Sequence, residues 1–145
     1  MADIRQELVL QAAPARIYEA ITTRDGIRSW WTDDAGAADK VGAVAEFGFF
    51  DHSMIFRMRV DELAAGARAL WTCIAGPAEW IGTQVLFEIV PGSGGTTRLR
   101  FTHSGWRAED GMYPSATATW AQIMPHLKGY VEGRAPGPYF TSDSH

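Results

Sequence analysis

His103 is the side chain of this sequence best suited to moving a proton. Histidine titrates close to neutral pH, so a neutral imidazole can act as a general base or orient a polar ligand. Residues 96–104 alternate as a strand does, which places His103 on one face with Leu99 and Phe101, close to Trp106. We weigh against this role a purely structural one, in which a nearby backbone group holds the imidazole.

Glu46 is a second candidate for polar chemistry, because it is a carboxylate within an otherwise apolar segment. Arg57 and Arg59 lie in the next predicted strand. If these charges face a cavity, they could bind the polar head group of a ligand. We favour the simpler prediction, a cross-strand ion pair between Glu46 and one of the two arginines.

Tryptophan is abundant in this chain, with six residues in 145. Indoles form broad apolar walls with one hydrogen-bond donor each, which suits a pocket for rings or acyl chains. Core packing is the alternative role for each of them. The predicted ligand-binding residues are Trp30, Trp31, Phe47, Phe49, Phe56, Met58, Trp71, His103, Trp106, Trp120 and Met124.

The spacing of histidine and cysteine does not favour a metal site, because no H-x-x-x-H or C-x-x-C pattern occurs. No glycine-rich phosphate loop leads from a strand into a helix. We therefore predict neither a metal nor a cofactor. Cys73 is the single cysteine, and its apolar strand predicts a small buried hydrophobe rather than a nucleophile.

The charge and hydropathy of the chain exclude several classes of partner. A net charge of −4 without a cluster of lysine or arginine argues against nucleic-acid binding. No apolar run approaches the roughly 20 residues that cross a bilayer, which argues against membrane insertion. The first ten residues lack the basic start and apolar core of a signal peptide. We therefore predict a cytoplasmic protein.

Alternation of apolar and polar residues predicts the elements that must position these side chains. A strand at residues 4–10 precedes two short helices, one opening at Pro14 and one following Asp25-Gly26, and residues 32–43 have the composition of a loop. Five strands joined by tight turns are predicted over 44–50, 53–63, 67–75, 82–90 and 96–104. The fold class is α+β.

A long helix is predicted over about residues 115–133, with one apolar stripe that faces the sheet. Pro125 lies within this helix, which predicts a kink near residues 121–124. We predict a single domain over residues 1–135 and a flexible tail over 136–145, in which Tyr139 and Phe140 could still dock.

One strand, two short helices, a five-strand meander and a long terminal helix form the helix-grip arrangement. Short motifs in this order resemble the START-like (SRPBCC) superfamily, in particular the family related to the C-terminal domain of the activator of heat-shock protein 90 ATPase. Each motif is weak alone, but their order and spacing extend over almost the whole chain. They are PARIYEAI at 14–21, SWW at 29–31, THSGW at 102–106, Trp120, and LKGYVEG at 127–133.

The resemblance implies a deep cavity between the sheet and the terminal helix that binds lipids, sterols, polyketides or other apolar molecules. Our leading hypothesis is a binding protein for a small apolar ligand, walled by indoles. One alternative is a cyclase, dehydratase or hydrolase that uses the same cavity with His103 as its base. A third is an interaction module that contacts heat-shock protein 90. The oligomeric state is left open.

Overall fold

Alternating apolar residues form one antiparallel sheet in the computed structural model, which describes residues 2–49 and 53–140. Three helices, α1 (Pro14–Thr22), α2 (Arg24–Ile27) and α3 (Tyr113–Val131), accompany the sheet. The described strands are β1 (Ala2–Leu10), β2 (Asp34–Ala35), β3 (Val44–Phe49), β4 (Met54–Ala64), β5 (Arg68–Ala75), β6 (Gln84–Pro91) and β7 (Thr97–Trp106). Their spatial order is β1-β7-β6-β5-β4-β3-β2. The sheet curls around α3, which confirms the predicted helix-grip fold of the α+β class.

The burial of alternate residues identifies the concave face of the sheet. Trp71 of β5, Phe87 of β6 and Phe101 of β7 are almost completely buried, whereas the neighbours of each along its own strand are more exposed. Phe47 and Met58 are buried in the same way on β3 and β4. Apolar area removed from water contributes about 25 cal/mol per Å². The burial of these large side chains on the concave face therefore stabilises the fold. The predicted turn at Asp51 and His52 lies outside the described residues.

The segment predicted as a loop over residues 32–43 contains β2, which is a correction to the prediction. Asp34 and Ala35 pair with Gly48 and Phe47 of β3. The Thr32 hydroxyl also donates to the Gly48 carbonyl at 2.7 Å. Two residues are too few for an alternation pattern, so backbone pairing alone defines this strand.

Helix α3 begins two residues earlier than predicted, at Tyr113. Pro114 occupies its first turn, where a missing backbone N–H is harmless. The backbone N–H of Met112 donates to Glu79 Oε1 at 3.0 Å, so a carboxylate from the β5–β6 loop caps this end of the helix. A cap from a distant segment leaves no local signal in the sequence.

Pro125 lies on the exposed side of α3, which continues past it to Val131. The proline leaves the carbonyl of Ala121 without its helical donor. Ala121 is exposed as well, so water can bind that carbonyl. The kink near residues 121–124 stays a prediction.

The segment predicted as a flexible tail is anchored as far as Phe140. Gly133 has φ +90°, and the N–H of Arg134 donates to the Gly129 carbonyl, so α3 ends in a glycine turn. The N–H groups of Tyr139 and Phe140 then donate to the carbonyls of Trp30 and Trp31. Residues 141–145 lie outside the described part of the chain.

Glu132 joins the end of α3 to the end of β1. Its carboxylate accepts hydrogen bonds from Lys128 Nζ at 2.7 Å, from the backbone N–H of Gln11 at 2.8 Å and from Arg134 at 2.8 Å. The bond from Lys128 and the backbone N–H lower the pKa of Glu132 to about 2. Because this pKa is depressed, the stabilisation is complete above the ordinary value of 4.5 and is lost as the pH falls through about 2.

Glu132→Gln is therefore expected to lower the free energy of unfolding by about 1.5–3 kcal/mol at pH 7, the range for hydrogen bonds to charged groups. Urea denaturation measures this change. Glu109→Gln, in the exposed loop before α3, is the control and should change stability by less than about 0.5 kcal/mol. Equal losses in the two variants would refute the assignment.

Candidate functional site

A cavity of about 160 Å³ opens between the first half of α3 and the strand ends that face it. On the sheet side it is bounded by the end of β3, the start of β4 and the β5–β6 loop. An apolar protein cavity of roughly 150 Å³ binds benzene. The lining residues are Trp31, Phe49, Met54, Phe56, Pro77, Trp80, Met112, Ser115, Ala116, Thr119, Trp120, Ile123 and Phe140.

Six of the thirteen lining residues are aromatic, and their rings pack on one another. The ring centroid of Trp31 lies 5.3 Å from that of Trp120 and 5.6 Å from that of Phe49. Trp80 meets Phe56 edge to face at 4.6 Å. Such pairs add about 0.5–1.5 kcal/mol each to the burial of their area. The wall is therefore a set of mutually supported rings with defined positions.

Small side chains of α3 leave the space that the cavity occupies. Ser115, Ala116 and Thr119 lie on the helix face that continues through Trp120 and Ile123. From Ile123 and Trp120 toward Ser115, the stripe changes from large to small residues, which leaves room for the cavity on this face of the helix. The cavity is therefore indicated in the sequence by the size of the side chains along the stripe. The position of the stripe alone does not indicate a cavity.

The structure brings four of the predicted ligand-binding residues together around the cavity: Trp31, Phe49, Phe56 and Trp120. The other seven are buried outside the cavity lining: Trp30, Phe47, Met58, Trp71, His103, Trp106 and Met124. At most 2% of the surface of any of them is exposed. The Trp30 indole N–H, for example, donates to the Ala20 carbonyl at 2.7 Å beneath α1. The geometry therefore favours core packing, the alternative role, for these seven.

Two aromatic lining residues lie outside the predicted strands and helices. Trp80 lies in the β5–β6 loop, outside the predicted strands, yet only 7% of its surface is exposed. Phe140 lies in the predicted tail, and its ring packs edge to face on Phe49 at 4.9 Å. Both positions depend on contacts between distant segments, which a local pattern does not reveal.

His103 is completely buried and held by side chains through both ring nitrogens. The indole Nε1–H of Trp120 donates to His103 Nδ1 at 3.0 Å. That bond places the imidazole proton on Nε2, which donates to Thr83 Oγ1 at 2.8 Å. The Thr83 hydroxyl in turn donates to the Trp80 carbonyl at 2.6 Å. The chain of bonds therefore links two residues of the cavity wall, Trp80 and Trp120.

This arrangement favours the structural role for His103, with side chains rather than backbone as its partners. Burial lowers the pKa of His103 to about 3, so the ring is neutral at pH 7. Neither ring nitrogen is free to take a proton from a ligand. The hypothesis of a general base at His103 therefore has no support from the geometry.

The other candidates for polar chemistry lie away from the cavity. Arg57 Nε donates to Glu46 Oε2 at 3.0 Å across β3 and β4, with both side chains about half exposed, which confirms the predicted ion pair. Cys73 is buried, and burial raises the pKa of its thiol to about 11, so it is an inert core residue at neutral pH.

Within residues 2–49 and 53–140, no three histidine, cysteine, aspartate or glutamate side chains are grouped so that they could hold a metal ion. Over the same residues, every helix is too short or too polar to cross a membrane.

Comparison with protein families identifies the fold and its relatives. Residues 11–132 match the family described as "Activator of Hsp90 ATPase homolog 1-like protein". The chain belongs to this family. It is a START-like (SRPBCC) family, as the motifs of the sequence indicated. A comparison of this chain with curated proteins found no match.

Several solved structures resemble this family member over most of its length. The Aha1 dimer from Colwellia psychrerythraea is 31% identical, with a TM-score of 0.81, and the match covers 92% of this chain and 98% of that one. Protein CV1439 from Chromobacterium violaceum is 20% identical, with a TM-score of 0.73 over 90% and 96% of the two chains. At this identity the likeness concerns the fold alone.

DynU16, a protein of the dynemicin biosynthetic locus, is 23% identical, with a TM-score of 0.77. The match covers 96% of this family member and 50% of DynU16, so this chain spans about half the length of that protein. The shared part again concerns the fold.

Proposed function

We propose that this protein binds a small apolar molecule, about the size of one aromatic ring, in the cavity beside α3. The observation that carries the proposal is the aromatic wall around about 160 Å³. Pockets for drug-sized ligands have about 300–1,000 Å³. A lipid or sterol would need more space than this cavity offers, so its volume supports a smaller ligand.

The chemistry of the wall favours binding over acid–base catalysis. The cavity lining that the described residues provide contains no aspartate, glutamate, histidine, lysine, arginine or cysteine. Its side-chain hydroxyls are those of Ser115 and Thr119, and the Ser115 hydroxyl donates to the Met112 carbonyl at 3.0 Å. A wall of this kind can orient a ligand through a hydroxyl, and its main contribution is the burial of apolar surface.

Toluene is the probe that tests the proposal. An aromatic ring buries roughly 150–250 Å², and at about 25 cal/mol per Å² this burial contributes roughly 4–6 kcal/mol. The expected Kd is therefore on the order of 0.1–1 mM. Methyl NMR spectra recorded during a toluene titration should show saturable shifts for Ala116 and Ile123.

The methyl groups of Val9 and Val90 serve as internal controls, because both side chains are exposed to solvent. They should not shift at the toluene concentrations that saturate Ala116 and Ile123. If the Ala116 and Ile123 signals do not saturate, or if all four residues shift in parallel, the cavity does not bind the probe and the proposal is wrong.

A further inference from the structure

The chain that follows α3 turns back along the helix toward the cavity. After the glycine turn at Gly133, Pro136 packs on α3 at Gly129, where an added Cβ would lie 3.1 Å from Pro136 Cγ. Glycine at position 129 therefore allows a close approach that a larger residue would hinder. We call residues 136–140 the strap.

Two side chains of α3 hold the strap along the helix. His126 Nδ1–H donates to the Gly137 carbonyl at 2.8 Å, and the His126 ring meets the Tyr139 ring edge to face at 5.5 Å. The Tyr139 hydroxyl is hydrogen-bonded to Gln122 Oε1. Neither His126 nor Gln122 lines the cavity. The strap is thus anchored at a distance from the space that a ligand would occupy.

The end of the strap closes one side of the cavity. The backbone N–H of Tyr139 donates to the Trp30 carbonyl at 3.1 Å, and the N–H of Phe140 donates to the Trp31 carbonyl at 2.8 Å. The N–H of Asp33 donates back to the Phe140 carbonyl at 3.1 Å. These bonds hold the Phe140 ring in the cavity wall against Phe49.

We propose that the strap is a gate, whose release from α3 and from residues 30–33 opens the cavity to ligands larger than a single ring. The strap is short and only partly buried, whereas the sheet and α3 supply the remaining wall. Segments of this kind open at a lower free energy than core elements. The proposal rests on the proposed function, because it concerns access to the same site.

Removing the anchors of the strap should have opposite effects on two probes, tighter binding of a large one and weaker retention of a small one. Toluene fits the cavity with the strap docked, whereas N-phenyl-1-naphthylamine, a neutral fluorescent compound with three rings, requires the additional space that release of the strap provides. When only a minor state of the protein binds a ligand, the apparent Kd equals the intrinsic Kd of that state divided by its fractional population. In the variant His126→Ala/Gln122→Ala, the affinity for N-phenyl-1-naphthylamine should rise at least about 5-fold, and toluene should dissociate faster.

Arg68→Ala, on the exposed face of the sheet, is the matched control and should leave both probes unchanged. Fluorescence titration and NMR line shapes supply the two readouts. If the anchor variant binds toluene but shows no gain for the larger probe, the gate is refuted. If neither probe binds to the wild-type protein or to any variant, the proposed function itself is wrong.

Amide hydrogen exchange on the wild-type protein tests the gate without a mutation. The N–H groups of Tyr139 and Phe140 should exchange at least about 10-fold faster than those of Leu99 and Phe101 in β7, and saturating toluene should slow the strap amides. Equal protection of the strap and β7 would overturn the gate.

Discussion

Replacing His103 by alanine is expected to lower the free energy of unfolding by about 3–5 kcal/mol. The change removes the acceptor of the buried Trp120 indole N–H, which is left without a partner. It also removes the donor to Thr83 Oγ1, whose hydroxyl keeps only its bond to the Trp80 carbonyl. It also empties a site between the rings of Trp80 and Trp106, at centroid distances of 4.5 and 4.8 Å. Urea denaturation at pH 7 measures the loss.

The pH dependence of the same variant tests whether His103 is buried in its neutral form. His103 has a pKa near 3 in the folded state and 6.5 as its ordinary value, so the unfolded state binds the proton more readily between these values. Wild-type stability therefore falls as the pH drops from 6.5 toward 3, by roughly 4–5 kcal/mol from this group in total. The gap between wild type and His103→Ala should narrow over that range.

His126→Ala is a suitable control for the histidine prediction, because this partly buried residue loses one hydrogen bond to the Gly137 carbonyl. Its cost in global stability should stay near 1 kcal/mol. If His103→Ala costs no more than this control, the hydrogen bonds and packing of His103 do not stabilise the fold. If its gap to wild type is constant from pH 7 to pH 4, His103 is not buried in its neutral form.

The alternation of apolar residues was sufficient to predict the strands, because every second side chain of a half-buried strand faces the core. Leu99, Phe101 and His103, for example, share a face whatever lies opposite them, so no knowledge of their partners is needed. β2 was not predicted, and the docking of Tyr139 and Phe140 was only left open, since both features depend on backbone bonds between separate segments of the chain. Residue 140, for example, pairs with residue 32.

The candidate site was harder to predict because a cavity is defined by what does not fill it. Large aromatic residues suggested a pocket, but half of those predicted to bind ligand lie outside the cavity lining, such as Trp71, which packs against other rings in the core. The volume depends instead on small residues of α3, such as Ala116, and on Phe140 from the strap. The role of His103 likewise depends on Thr83 and Trp120, whose proximity arises only after folding.

Filling the cavity from α3 is expected to abolish toluene binding while the fold is retained. Ala116 is 7% exposed and lies in the helix face that lines the cavity. In Ala116→Phe the new ring would occupy the space of the ligand, so the affinity for toluene should fall at least about 10-fold, a loss of about 1.4 kcal/mol or more. Because the ring fills space without displacing a core residue, the free energy of unfolding should change by less than about 1.5 kcal/mol.

Ala118→Phe is the matched control, since the same substitution is made two residues away on the exposed side of the same helix. It should bind toluene as the wild-type protein does, because residues two apart on a helix do not share a face. Equal affinity in Ala116→Phe and Ala118→Phe would place the toluene site elsewhere. A selective loss at position 116 would tie binding to the gap between α3 and the sheet, where the small residues of the helix leave room for a ligand.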